Sequence, residues 1–313
     1  MIIRTIDAHA AGGPLRLVVE GFPAPRGKTM VEKQEWASRH ADNLRRALIL
    51  EPRGHVDMCG AVLTEPISPG AHAGILFFHN DGYNAMSGHG IIAATKIAFE
   101  RGLVMPGGDA ATIVFDTPAG IVRSTISGDR ISFINVPAYV LHAGVPVQLG
   151  PRLLRADIAY GGATVAIVDA EAAGVSIDLA HAPELRRAGM AIRNAVEKVQ
   201  AVDGTIFTGP PHDAGADLRN AAVSADGALD RSPCGTATSA VMAVLDAMGL
   251  LGEDRPFVHE SIIGTRFTGR VTGRTAVGDY PAIVTEIEGA AWITGEHTFI
   301  VDERDPLRNG VRT

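Results

Sequence analysis

Two short stretches read as copies of one device, and they constrain everything between them. Met86-Ser87-Gly88-His89-Gly90 runs into the apolar segment Ile91 to Phe99, and Asp230-Arg231-Ser232-Pro233-Cys234-Gly235-Thr236 runs into Ala237 to Leu250. In each, a side chain able to transfer a proton stands just before a Gly-containing turn that opens a helix. The first N–H groups of a helix lack intrahelical partners and carry partial positive charge, so a helix start is a ready site for a carboxylate. Two such starts facing each other would clamp one small anion.

The order of elements around the devices repeats. Ile2 to Ile6 and Leu15 to Val19 read as strands around a Gly12-Gly13-Pro14 turn. Thr29, with Glu32 three residues on, is an N-cap signal for one long amphipathic helix reaching Ile49. Short strands at Ala61 to Leu63 and Gly74 to Phe78 then deliver the chain to Ser87, and Pro106-Gly107-Gly108-Asp109 ends the element after it. Strands resume at Thr112 to Phe115, Gly120 to Ser127 and Arg130 to Asn135. The second half follows suit, with strands at Leu154 to Tyr160 and Ala163 to Val168 and a helix from Ala182 to Val199. Strands at Thr205 to Phe207 and Leu218 to Ser224 then precede the Cys234 device. Such spacing suggests a duplication. The expected domains are 1–120 with about 291–313, and 121–290, the last strand-rich run returning to the first domain.

A chain of 313 residues suits two domains, and 46% apolar with 20% charged residues is a globular composition. A net charge of -7 gives no reason to expect nucleic acid as a partner, which leaves a small-molecule substrate. No charged segment with an apolar core precedes the first strand, and no uninterrupted apolar stretch is long enough to span a membrane. With only Cys59 and Cys234 present, the expectation is a cytoplasmic protein with reduced thiols.

Cys234 carries the strongest chemical signal. Proline before it and glycine after it put it at a helix start, where the local field favours a thiolate that can act as base or nucleophile. Cys59, in Asp57-Met58-Cys59-Gly60, reads as a small buried hydrophobe. Ser87 is open to two readings, because serine is also a common N-cap. His89 can bind an anion, assist Ser87 or be structural, and Asp230 can hold a turn or face a substrate ammonium. No His, Cys and Asp cluster has metal-ligand spacing.

Three spaced motifs, Asp57-Met58-Cys59-Gly60-Ala61, Ser87-Gly88-His89-Gly90 and Asp230 to Thr236, follow one another in a familiar order. With them the chain resembles the proline racemase superfamily, from Ile6-Asp7-Ala8-His9 to the Thr294-Gly295 region. That superfamily includes proline racemases, 4-hydroxyproline 2-epimerases and trans-3-hydroxy-L-proline dehydratases. The resemblance implies an α/β (α+β) fold of two pseudo-symmetric domains of the diaminopimelate epimerase-like type. Each would be a curved mixed or antiparallel sheet around a central helix, with the active site in the cleft between them.

In racemases of this kind two cysteines flank the α-carbon of the bound ring, whereas the first position here is Ser87. An alkoxide is not accessible near neutral pH as a thiolate is, so a symmetric two-thiol racemase is disfavoured. The opening departs as well, with His9-Ala10-Ala11-Gly12-Gly13-Pro14 where His-Thr-Gly-Gly-Glu-Pro is usual. Dehydration of trans-3-hydroxy-L-proline needs one base and one acid, and it ranks first. A 4-hydroxyproline 2-epimerase ranks second, and a Cys-dependent hydrolase or an amino-acid binding protein follows. The resemblance implies Ser87 and Cys234 as catalytic residues and the N–H groups of Gly88, His89, Gly235 and Thr236 as carboxylate donors, with Asp230 and His89 facing the ring nitrogen. It implies no metal and no organic cofactor, and a homodimer is the default assembly.

Overall fold

The structure is a computed structural model and describes residues 1–105, 111–252 and 255–312. Contacts divide it into two units, Met1–Phe133 with Ala290–Thr313, and Ile134–Gly289.

In the first unit, β1 (Ile2–Ala10) and β2 (Gly13–Glu20) form a hairpin in which Ala10 pairs with Gly13. The turn is Ala11-Gly12, at φ 50° and 95°, and two left-handed residues match the right-handed twist of the flanking strands. Both strands are therefore longer than expected, and Asp7 and His9 lie within β1. The expected single helix is two, α1 (Met30–His40) and α2 (Asp42–Ile49), broken at Ala41 with φ -133° and ψ 12°. Thr29 does cap α1, its Oγ1 accepting from the Glu32 N–H at 3.1 Å. The break has a cause in packing. Arg45 is drawn inward by Asp42 at 2.6 Å and by the carbonyls of His79 and Asn80 at 2.6 and 2.8 Å. This turns Leu44, Leu48 and Ile49 into the cluster that holds Met30, Ala37, Val62, Leu76 and Phe78.

The unit continues through β3 (Cys59–Thr64), β4 (Ala73–His79), β5 (Tyr83–Asn84), α3 (Gly88–Glu100), β6 (Thr112–Thr117), β7 (Gly120–Ser127) and β8 (Arg130–Ile134). The Pro106-Gly107-Gly108-Asp109 stop lies outside the described residues. α3 itself ends earlier, with the Arg101 N–H donating to the Ile97 carbonyl. Strands β2 and β3 are parallel, β3 and β4 antiparallel, β4 and β6 parallel, and β6 and β7 antiparallel. The terminal strand Ala291–Ile300 pairs antiparallel with β1. α3 packs on β1, β2, β3, β7 and the terminal strand, and Ile91, Ile92, Ala93, Ala94, Ile97 and Ala98 are fully buried. A helix buried over most of its surface, with only His89, Lys96, Phe99 and Glu100 reaching out, is stable only when enclosed, so α3 is the centre of its unit.

The second unit comprises β9 (Ala138–Leu149), β10 (Arg152–Tyr160), β11 (Thr164–Asp169), α4 (Ala170–Ala173), α5 (Ala182–Val196), β12 (Gly204–Gly209), β13 (Leu218–Ser224) and β14 (Leu229–Asp230). It ends with α6 (Gly235–Ala247), β15 (Phe257–Glu260), β16 (Arg266–Val277) and β17 (Tyr280–Gly289). Its pairings run β9, β10, β11, β12, β13, β15, β16, β17 and back to β9. The sheet is thus a closed ring. α6 packs on β9, β10, β11, β16 and β17, and every residue from Gly235 to Val244 is buried.

The two units share one connection pattern. A parallel pair is joined through helices (β2 and β3, β11 and β12), and a second parallel pair is joined through the central helix (β4 and β6, β13 and β15). A two-residue strand, β5 or β14, stands just before each central helix.

Candidate active site

In the first unit the β4–β5 hairpin delivers Met86 and Ser87 to the start of α3. Ser87 is extended at φ -140° and ψ 115°, and its Oγ accepts from the Gly90 N–H at 3.2 Å. The hydroxyl therefore acts as an N-cap, with its oxygen in use and its hydrogen still to donate. Gly90 is required there, since a Cβ would lie 2.5 Å from Phe77 Cε1 and 2.8 Å from Ser87 Oγ. Gly88 and His89 are the first residues of α3, where N–H groups point outward along the axis.

In the second unit, β14 ends at Asp230, whose Oδ1 accepts from the Ser232 N–H at 2.8 Å. Ser232 Oγ in turn accepts from the Cys234 N–H at 3.1 Å. Asp230 is thus a turn-former within its own unit. Cys234 is the residue before α6 at φ 56° and ψ 105°, a left-handed backbone rare for a residue with a side chain. Its side chain makes no capping bond. Sγ lies 3.3 Å from Thr236 Oγ1 and is half-buried. The two devices are unlike: the serine oxygen caps its helix, whereas the cysteine sulfur is held at the start of its helix without capping it.

A buried polar group lies beneath the second device, and sequence reading missed it. Asn220 Nδ2 donates to the Pro233 carbonyl at 2.7 Å and meets the His259 ring at 2.9 Å. Thr238 Oγ1 donates to the same carbonyl at 3.2 Å and lies 2.9 Å from His259 Nδ1. Asn220, Thr238 and His259 are all fully buried. Burial pushes the His259 pKa down to about 3, so the ring is neutral. Further along α6, Ser239 Oγ donates to the Gly235 carbonyl at 3.1 Å and Asn135 Nδ2 donates to Ser239 Oγ at 2.8 Å. Asn220, Thr238 with Ser239, and His259 come from β13, α6 and β15, and Asn135 follows β8, far apart in sequence, so no local motif could have flagged them.

Of the expected residues, Ser87, Gly88 and His89 gather at the start of α3, and Asp230, Cys234, Gly235 and Thr236 at the start of α6. Cys59 is a free thiol buried at the beginning of β3, its Sγ 3.9 Å from the Gly60 carbonyl. No helix among the described residues is long and apolar enough to cross a membrane, and no three His, Cys, Asp or Glu side chains among them are grouped to hold a metal.

A sequence model of the proline racemase family matches residues 5–312. A trans-3-hydroxy-L-proline dehydratase of Bacillus cereus is 40% identical, covering 99% of this chain and 97% of that protein. A proline racemase of Clostridioides difficile is also 40% identical, over 98% of this chain and 97% of that one. The crystal structure of a hydroxyproline epimerase from Agrobacterium vitis, with bound trans-4-hydroxy-L-proline, superposes with a TM-score of 0.92 at 27% identity, covering 99% of this chain and 94% of that one. A Bacillus anthracis protein of the PhzF family, at 15% identity and a TM-score of 0.64, shares the fold.

Proposed function

Because the chain belongs to the proline racemase family, we propose that it is a cofactor-independent trans-3-hydroxy-L-proline dehydratase in which Cys234 and Ser87 act on one bound ring. The observation that carries this reading is the inequality of the two devices. One offers a thiol at a helix start, the other a hydroxyl whose oxygen already caps its helix. Relatives named as trans-3-hydroxy-L-proline dehydratases, such as that of Bacillus cereus, support the same substrate.

The reaction divides its demands in the same way. The Cys234 thiolate takes the α-proton, and the C–H electron pair becomes the C2–C3 double bond. The C3–O bond breaks, and the oxygen leaves as water on taking the Ser87 hydroxyl proton, which solvent replaces as Cys234 releases the α-proton to solvent. The resulting enamine moves a proton from nitrogen to C3 and becomes Δ1-pyrroline-2-carboxylate. The N–H groups at Gly88, His89, Gly235 and Thr236 would stabilise charge that grows on the carboxylate as the α-proton leaves, and Asp230 and His89 would hold the ring ammonium.

The second reading is a hydroxyproline 2-epimerase, which the Agrobacterium vitis epimerase favours. It asks Ser87 to deliver a proton to the α-carbon. One NMR experiment in D2O with trans-3-hydroxy-L-proline separates the two. We expect Δ1-pyrroline-2-carboxylate to accumulate, and a deuterated 2-epimer without pyrroline would replace dehydratase with epimerase. A hydrolase would instead leave a label covalently attached to Cys234. A cytoplasmic location, suited to a working thiol, and a homodimer complete the proposal. Cell fractionation and light scattering test them.

A further inference from the structure

Cys234 combines a left-handed backbone with a position where the thiol must be aimed. A residue with a side chain at such a φ is strained and persists only where its surroundings over-determine it. Here both flanking peptide planes are pinned. The plane before Cys234 is held at its carbonyl by Asn220 Nδ2 and Thr238 Oγ1, at 2.7 and 3.2 Å, and at its N–H by Ser232 Oγ at 3.1 Å. The plane after it is held at its carbonyl by the Thr238 N–H at 2.8 Å. Two fixed planes leave Cys234 no freedom in φ or ψ.

The amide of Asn220 and the hydroxyl of Thr238 are oriented in turn by one imidazole. The hydrogens can be assigned from the acceptors. Because the Pro233 carbonyl only accepts, both Asn220 and Thr238 donate to it. The Thr238 oxygen is then left to accept from His259 Nδ1–H at 2.9 Å, and of the two ring nitrogens, each 2.9 Å from Asn220 Nδ2, Nε2 is the one left to accept the second Asn220 hydrogen. Every hydrogen has a place only when the ring is neutral, which agrees with its complete burial. A protonated ring would set Nε2–H against the Asn220 amide hydrogens.

We propose that His259, acting through Asn220 and Thr238, is a positioning residue that holds the Pro233–Cys234 peptide and thereby aims the Cys234 thiol. This rests on the reading of Cys234 as the base, and it adds a residue that never meets the substrate.

The test compares His259→Phe, which keeps the ring shape and removes both nitrogens, with Thr238→Val and with His259→Gln, whose amide oxygen can accept from Asn220. All carry Cys59→Ser, so that Cys234 is the one remaining thiol. We measure kcat and KM on trans-3-hydroxy-L-proline, the iodoacetamide alkylation rate of Cys234 against pH, and thermal stability. His259→Phe and Thr238→Val should lower kcat by about 10- to 100-fold with KM changed less than about threefold, the loss expected from misaiming by an ångström or less. Alkylation near neutral pH should slow by about tenfold as the thiol leaves the field of the helix start. His259→Gln should recover part of both.

Parental kcat and alkylation in a folded His259→Phe protein would overturn the proposal, as would a kcat loss that merely tracks lowered stability while alkylation is unchanged. If His259→Phe does not fold, Thr238→Val decides by the same criteria. Alkylation needs no turnover, so positioning is judged even if Cys234→Ser remains active, a result that would instead remove Cys234 from the proposed chemistry.

Discussion

At the scale of single residues, the difference between Ser87 and Cys234 decides what chemistry is open. Both precede a central helix, yet only the serine side chain caps it. Ser87→Ala should therefore cost about 1 kcal/mol in urea unfolding for the lost cap. It should also lower pyrroline formation by about 10- to 100-fold if the hydroxyl helps the leaving group. A stability loss with unchanged turnover would return Ser87 to capping alone. Ser87→Cys restores a thiol pair with little change in volume, and we expect a higher ratio of 2-epimer to pyrroline by NMR, because the second face gains a group that ionises near neutral pH. Cys234→Ser should abolish turnover, whereas Cys59→Ser, at a buried strand position, should keep it. Equal losses from the two would mean the wrong cysteine was assigned. The candidate residues were legible because their types and spacing are local. Their roles were less so: Asp230 read equally as turn or ligand, and only the bond to the Ser232 N–H revealed the turn.

At the scale of elements, helix starts were read well and helix interruptions and bulged strands were not. The break at Ala41 carries no proline or glycine signal, because its cause is the pull of Asp42 and two distant carbonyls on Arg45. The strand β9 was missed because Gly144, at φ 63°, and Pro146 interrupt its pattern, and its register with β10 shifts twice. α6 offers the sharpest test of close packing. A Cβ on Gly161 would stand 2.4 Å from the Thr236 carbonyl oxygen and 2.7 Å from the Ala240 nitrogen, which are backbone atoms that cannot swing aside. Gly161→Ala is expected to destabilise the protein by about 1–3 kcal/mol, the usual range for overpacking, and to lower kcat by shifting the start of α6. A variant with parental unfolding midpoint and kcat would show that the helix start tolerates displacement.

For the whole molecule, the repeated connection pattern gives each unit a buried central helix, and enclosing polar groups beneath such a helix ties stability to pH. His259 has its pKa lowered to about 3 in the native state, against about 6.5 when exposed in the unfolded chain. The unfolded chain therefore binds a proton that the native state refuses as pH falls below about 6.5. The contribution is fully present above that pH and is lost progressively as pH falls towards about 3, at roughly 1 kcal/mol per unit. Between pH 7 and pH 5 the parent protein should lose about 2 kcal/mol more than His259→Gln in urea unfolding. Parallel curves for the two would mean that the ring protonates in the folded protein.

By itself the sequence determined the central helices, the residues that precede them and the twofold recurrence of elements, because those depend on periodicity, capping and turn chemistry within a few neighbouring residues. It could not determine that the second unit closes its sheet through β9 and β17, since pairing between strands more than a hundred residues apart leaves no local trace. Nor could it find His259, Asn220 and Thr238 beneath Cys234. Read singly, each is an ordinary polar residue in a strand or a helix. Only folding brings Asn220 and Thr238 onto one carbonyl and sets the His259 ring against both, fully buried, where every hydrogen must find an acceptor.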